Sequence, residues 1–522
     1  MKHLLRSLPV FLIAFGTLAA QPSKKAFEIA DYYRTAFVGS PSISPDGTKI
    51  VFSVQRYDLP KGKGWSEIWM MDSDGSNQRQ MTFGQHSDTS PIFAPDGKRF
   101  VFSRTVDGNP QLHIMRVDGG GAKQLTKFSM GVSDSLWSPN GKWIAVTSEV
   151  FPECGADSDC NEKIKTTWED GKLKAHMADH LLYRHWTAWA DGKFSHVLLV
   201  DAESGEVVRD LTPGKWVSPI FSLGGERGYD FSPDSKELCF VSNREADQAS
   251  TTNADLWTTP IEGDLTEKSA VNITDANDGW DGSPLYSPDG RYIAYRSQAT
   301  PGYESDLFRI ALYDRQAKSV RYLTDRKTFD NWVDEIAWSP DSRTIFFQGE
   351  VQARNPIFKI DAGTAAISKV LTDATISGWK LSADGKKLVY GRRAIADPPE
   401  IFAAASDGTG RRQLTQFNKE LVQEVDIRPA EDMWFQGAGN YKVETFVIKP
   451  HDFDPSKKYP LILNVHGGPQ QQWLDSYRGD WQVYPGKGYI VAFANPTGSN
   501  GYGQDYVDAI GCDWGGRVFQ DL

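Results

Sequence analysis

A turn-plus-strand unit recurs seven times along this chain, and that repetition constrains the fold more than any other feature. The copies begin at Ser44 (SPDGTKIVFSV), Ala94 (APDGKRFVFSR), Ser138 (SPNGKWIAVTS), Ser232 (SPDSKELCFVS), Ser287 (SPDGRYIAYRS), Ser339 (SPDSRTIFFQG) and Ser382 (SADGKKLVYGR). Proline presets φ, Asp or Asn bonds its own backbone and Gly takes positive φ, so each unit opens on a tight turn. The β-branched and aromatic residues that follow suit a strand. A second signal, an apolar residue followed by Thr, keeps step with the first. Its copies are Met81-Thr82, Leu125-Thr126, Leu211-Thr212, Ile273-Thr274, Leu323-Thr324, Leu371-Thr372 and Leu414-Thr415. Successive turns lie 50, 44, 94, 55, 52 and 43 residues apart. The common spacing is that of one four-stranded propeller blade. A single blade cannot bury both faces, so the seven are expected to close into a ring and not to run on as an open solenoid. The expectation is an all-β seven-bladed propeller over residues 36–420.

The spacing of 94 marks an insertion in the third blade, residues 151–194. It holds Cys154 and Cys160, six apart in a loop-like stretch that can close a small disulfide ring. Cys239 sits in an apolar strand, and Cys512 has no evident partner. The insertion also carries His176, His180, His185, Trp168, Trp186 and Trp189, with KAHMADHLLYRHWTAW reading as helical in part. His-Glu-x-x-His is absent and no carboxylate third ligand is evident, so no metal is expected. The remaining readings are an aromatic arm packed on a neighbouring surface, or an arm that reaches over the propeller and lines a substrate cavity with Trp186.

The charge, 57 basic against 68 acidic side chains for a net −11, disfavours nucleic acid as a partner. Residues 1–20 begin with Lys2, His3 and Arg6, continue as the apolar run Leu8 to Leu18, and end in small residues. This is the pattern of a secretory signal peptide, too short for a membrane span. A periplasmic or secreted protein with no membrane attachment after cleavage is expected, and that compartment permits disulfides.

The repeat ends near Phe417, and residues 421–522 follow another period. LILNVHGG and GYIVAFANP are continuous apolar runs, the pattern of strands buried on both faces of a mostly parallel sheet. The stretch between them has the length of a helical crossover, so this is the opening of an α/β domain. His466-Gly467-Gly468-Pro469 ends the first run, and paired glycines there let backbone N–H groups approach a ligand.

KKYPLILNVHGGP, then NPTGSNGYGQDY and DWGG, in that order after a propeller, closely resembles the prolyl oligopeptidase family of serine peptidases. FEIADYYRTAFVGSPSISPDG and the insertion look most like its dipeptidyl-peptidase 5 and acylaminoacyl-peptidase branch. The resemblance implies a propeller that caps an α/β-hydrolase domain, short peptides as substrate, no cofactor, and room for a homo-oligomer. It implies an oxyanion-hole role for the loop at Gly467 and Gly468, with His466 where some relatives place a tyrosine. Tyr502 either shapes the pocket or packs the core. Adjacent propeller glutamates, the amine anchor of some dipeptidyl peptidases, have no counterpart here; Glu149 is the candidate carboxylate, or else a solvated surface residue.

No Gly-x-Ser-x-Gly nucleophile elbow occurs in the 522 residues, and Ser499 follows Thr497-Gly498, not Gly-x. The resemblance therefore puts the Ser, Asp and His of the triad beyond Leu522. The expectation is a truncated chain, inactive by itself, from an exported peptidase that releases dipeptides or N-terminal residues. Its competitors are a propeller binding module without catalysis, and an acylaminoacyl-peptidase or esterase on the same scaffold.

Overall fold

The computed structural model describes residues 24–522 apart from 180, 226 and 373–374. The expected signal peptide and His180 lie outside the described residues. Seven four-stranded antiparallel sheets follow one another, six built from four consecutive strands and the third interrupted between its second and third strands by the small two-stranded sheet of the insertion. In the first these are Phe37–Ile43, Lys49–Asp58, Lys63–Asp72 and Arg79–Gln80.

The two repeated signals have separate structural jobs. At Ser287 the Asp289 carboxylate accepts the Ser287 hydroxyl at 2.6 Å and the Arg291 N–H at 3.0 Å. The Gly290 N–H closes the turn on the Ser287 carbonyl at 2.8 Å, with Gly290 at φ +71°. This turn delivers the chain from the first strand of a sheet to the second. The threonine of the other signal lies just past the fourth strand, and its hydroxyl accepts a backbone N–H from the third strand. The pairs are Ile68 with Thr82, Leu112 with Thr126, Val197 with Thr212, Leu256 with Thr274, Ile310 with Thr324 and Ile401 with Thr415, at 2.8–3.0 Å. These six hydroxyls satisfy buried donors where the fourth strand stops short. Thr372 is exposed and outside this pattern.

Each pair of neighbouring sheets encloses its own apolar core. Phe93, Phe100 and Phe102 of the second sheet meet Val51, Ile68 and Met70 of the first. The ring closes by the same means: Val38, Phe52 and Val54 of the first sheet pack on Val389, Ile401 and Ala403 of the seventh. Asn418 ties the closure, accepting the Ala36 N–H at 2.8 Å and donating to the Ala36 carbonyl at 2.9 Å. An open solenoid is excluded by this contact.

Residues 151–193 leave the third sheet between its second and third strands, Trp143–Val150 and Phe194–Asp201, which pair directly beneath. Cys154 and Cys160 are disulfide-bonded with Cα atoms 5.5 Å apart. The arm's helix is Ser158–Asp170, capped by Asp157, which accepts the Cys160 N–H. The helical character expected over residues 174–189 is corrected: only the two-residue strands Arg184–His185 and Ala188–Trp189 form there, as a small hairpin. His176 stacks on Trp189 (centroids 4.1 Å apart) and bonds Asp191 at 2.7 Å, a local clasp instead of a helix face.

The second domain is a four-stranded sheet in the order Ala430–Gln436, Lys442–Ile448, Ile490–Asn495, Leu461–Asn464. Its last pair is parallel, joined through the helix Gly479–Gly486. Ile490–Asn495 is buried as expected, whereas Leu461–Asn464 forms an edge, with Leu461 61% exposed. It has one neighbouring strand, so its apolar side chains are only partly covered.

The N-terminal segment belongs to this domain as much as to the ring. Lys25–Ala26 pairs in parallel with Val425–Asp426, and helix Ile29–Arg34 lies on helix Gly479–Gly486. Glycine permits that approach: a Cβ on Gly479 would stand 2.0 Å from the Tyr32 ring, and one on Gly486 1.9 Å from the Phe27 carbonyl.

Candidate active site

The loops joining second to third strands open on one face of the ring, and this face carries the second domain. Asp475 is the hub of the contact. It donates its N–H to the Ala353 carbonyl at 2.8 Å, accepts the Ile395 N–H on its carboxylate at 3.0 Å, and accepts the Thr375 hydroxyl on its carbonyl at 2.8 Å. Farther round, Tyr303 donates to Asp508 at 2.9 Å and Arg326 pairs with the same carboxylate at 2.8 Å. The arm of the third sheet springs from this face as well.

His466 leaves the carboxyl end of the parallel strand Leu461–Asn464. Its Nδ1 lies 2.9 Å from the Gly467 carbonyl, and its Nε2 lies 2.9 Å from Ser499 Oγ. Burial lowers the imidazole below the usual histidine value, against the pull of the Gly467 carbonyl. Ser499 is fully buried and donates its single proton to the Pro496 carbonyl at 2.6 Å. Its burial closes this hydroxyl to a substrate carbonyl. Gly467 and Gly468 are exposed, and among the described residues neither N–H has an acceptor. Gly467 has nothing within 4 Å of where a Cβ would be, so a substrate oxygen can reach this backbone. Two exposed donors at a strand end can stabilise a developing oxyanion.

A buried polar chain fixes this loop to the propeller. Trp473 packs edge-on to His466 (centroids 5.9 Å apart) and donates its indole N–H to the Asn464 carbonyl at 3.3 Å. Asn495 accepts the Trp473 N–H at 2.7 Å and donates to Tyr502 Oη at 2.8 Å. Tyr502 donates to Glu444 at 2.7 Å, and Arg354 of the sixth sheet meets the other oxygen of Glu444 at 2.9 Å. Of the two readings of Tyr502, its bonds match the packing one: it is a link in this chain, with its hydroxyl engaged by Glu444 and Asn495. Near it Glu350, on the sixth sheet, is pushed up to about 7 by burial and by the Asp334 charge, against the opposing pull of Asn500, Arg296 and Gln472.

The other substrate-side candidates lie elsewhere. Glu149, two-thirds exposed and 4.0 Å from Lys193, borders a cavity of about 530 Å³ between the arm helix and the second and third sheets. Lys165, Trp168, Glu169 and Asp191 share that cavity. Trp186 is 84% exposed and lines neither this cavity nor a second one of about 460 Å³, which takes Leu182 and His185 from the arm. Among the described residues no group of three or more His, Cys, Asp or Glu side chains could hold a metal ion. No helix there is long and apolar enough to cross a membrane.

The sequence reading missed Asp475, Arg354 and Glu444, which sit in no recognisable motif and act on partners distant in the chain; Asn495 opens the NPTGSNGYGQDY segment, but nothing in that segment announces its bonds to Trp473 and Tyr502.

Residues 28–158 match the TolB beta propeller domain, and residues 475–522 match the prolyl oligopeptidase family. The chain is 28% identical over 494 residues to dipeptidyl-peptidase 5 of Porphyromonas gingivalis, covering 93% of this chain and 70% of that protein. It is 28% identical over 529 residues to dipeptidyl-peptidase 5 of Porphyromonas endodontalis, covering 99% and 74%. Among solved structures it superposes on an acylaminoacyl peptidase in complex with Z-Gly-Gly-Phe-chloromethyl ketone, with TM-score 0.75, 17% identity, and 95% and 71% of the two chains covered. A puromycin-hydrolyzing peptidase of Mycobacterium tuberculosis follows at TM-score 0.66 and 16% identity, covering 96% and 73%.

Proposed function

Since this chain belongs to the prolyl oligopeptidase family of serine peptidases, we propose that it is the propeller and oxyanion-side portion of an exported enzyme that releases dipeptides or N-terminal residues from short peptides. The observation that carries this reading is the open Gly467-Gly468 loop, whose free N–H groups stand at a strand end held to the propeller through Trp473, Asn495, Tyr502 and Glu444. In such a site a serine attacks the scissile carbonyl, and these N–H groups receive the negative charge that develops on its oxygen. The ring across the opening admits short or unfolded peptides and excludes folded ones.

No Gly-x-Ser-x-Gly occurs in the 522 residues and Ser499 is buried, so we place the triad in sequence outside them. Purified chain is then expected to give no p-nitroaniline from Ala- or Gly-containing dipeptide p-nitroanilides and no labelling by a fluorophosphonate. Labelling would overturn the placement of the nucleophile. Joined to sequence that encodes the elbow and the rest of the triad, the protein is expected to turn over. In that enzyme Gly467→Pro, which deletes one donor, is expected to lower kcat by roughly 10²–10³. The match of residues 28–158 to the TolB beta propeller domain favours a second reading, a peptide-binding module without catalysis. Failure of the joined protein to turn over any peptide or ester would leave that reading standing.

A further inference from the structure

A cavity of about 460 Å³ opens on the domain-bearing face between the fourth and fifth sheets. Trp280 and Phe308 form its floor, edge to face at 5.3 Å, with the buried Arg296 guanidinium 3.8 Å from the Phe308 ring centre. Its wall is Ile220, Phe221 and Leu223, and the arm supplies the opposite side through Leu182 and His185. Phe221 and Leu182 are 61% and 57% exposed, so two large apolar side chains that share the cavity with the aromatic floor are left open to solvent. The volume is that of a small-ligand site.

Two buried amides give the cavity a polarity. Gln298 spends its side-chain NH₂ on the Glu304 and Asp306 carbonyls at 3.0 and 2.8 Å, so it has an acceptor to offer. Asn243 spends its side-chain oxygen on the Glu245 N–H at 3.0 Å, so it has a donor to offer. One acceptor and one donor match the N–H and C=O of a single peptide unit. The lining holds one carboxylate, Glu304, and no lysine or arginine, which disfavours a negatively charged occupant. The same segment, residues 298–308, meets the second domain through Tyr303–Asp508 and the Ser305 carbonyl with Gln504.

We infer that this cavity is a substrate subsite for a large apolar or aromatic side chain of an extended peptide, completed by the third-sheet arm. The inference rests on the peptidase reading for its ligand class, and binding tests it without catalysis. Isothermal titration of the full chain with Ala-Phe-amide, Ala-Gly-amide and Ala-Glu-amide is expected to rank Phe at least tenfold above Gly, with Glu weakest. Leu182→Asp and Phe221→Ala are each expected to bring Phe down to the level of Gly. Thermal unfolding of each variant guards against misfolding, and Leu182→Asp changes an exposed position. Equal affinities in the unaltered chain, or a Phe preference that survives both substitutions, overturn the subsite. Turnover by the joined enzyme is scored separately. Turnover with an unchanged Phe preference in both variants overturns the subsite and leaves the peptidase. Selective binding without turnover does the reverse.

Discussion

Arg354, on a loop of the sixth propeller sheet, places its guanidinium 2.9 Å from Glu444, whose carboxylate has no exposed surface. The same guanidinium reaches Asp432 at 2.9 Å, so one propeller side chain clamps two strands of the second domain. Burial pushes the Glu444 carboxyl up, and the Tyr502 hydroxyl and Arg354 pull it back. The carboxylate that holds Tyr502, and through it the His466 loop, thus depends on a cation from the other domain.

Arg354→Met is therefore expected to destabilise the contact by about 3 kcal/mol at pH 7, because it leaves a buried carboxylate without its cation. Glu444 then takes up a proton more readily, so the loss shrinks as pH falls toward 5. Arg354→Met/Glu444→Gln is expected to recover most of it. Urea unfolding of the single and double variants at both pH values checks this. A loss that stays constant with pH would dissociate the effect from Glu444 ionisation.

The ring was legible because each repeated signal has a local job. Asp289 builds its turn from residues two places away, and Thr212 satisfies Val197, a neighbour in the same sheet. The His466-Gly467-Gly468 loop was legible for the same reason, as a strand-end feature. Arg354 and Glu444 lie 90 residues apart, and nothing in EVQARNP or YKVETF announces their pairing. The arm misled by composition: its histidines and tryptophans read as helical, yet the helix forms upstream, where Asp157 caps it and the Asn161 side chain donates to the Gly155 carbonyl at 3.0 Å. Leu461–Asn464 read as doubly buried from its apolar run, but burial is set by how many strands flank it, which no run of residues encodes.

Thr212→Val keeps the side-chain shape and removes the acceptor for the Val197 N–H, which has no exposure to water. An orphaned buried donor costs about 1–3 kcal/mol. Thr372→Val, at the exposed sixth copy, is expected to change stability by less than about 0.5 kcal/mol. Equal losses at the two sites, measured by denaturant midpoints, would show that the threonines act by propensity and not by capping.

The Cys154–Cys160 disulfide closes a short ring at the start of the arm helix. Replacing both cysteines by serine is expected to loosen that helix by about 2 kcal/mol while the inter-sheet cores stay intact. Hydrogen exchange should accelerate across Ser158–Asp170 and remain unchanged in Trp143–Val150 and Phe194–Asp201. Acceleration in those strands would mean that the arm supports the third sheet.

Glu350 gives the domain contact a pH dependence whose sign follows from its environment. Burial and the Asp334 charge raise its folded carboxyl to about 7, above the ordinary 4.5. Between these values the folded state holds a proton that the unfolded chain has released, so stability falls as pH rises through this window and levels off above it. Glu350→Gln keeps an uncharged group of the same shape beside Asn500 and Gln472 and removes the ionisation. The variant is expected to match the unaltered protein near pH 4.5 and to exceed it by about 3 kcal/mol at pH 8. Thermal unfolding across that range reads the difference. A gap that opens on the acid side would mean that the carboxylate, not the neutral acid, is the form the contact holds.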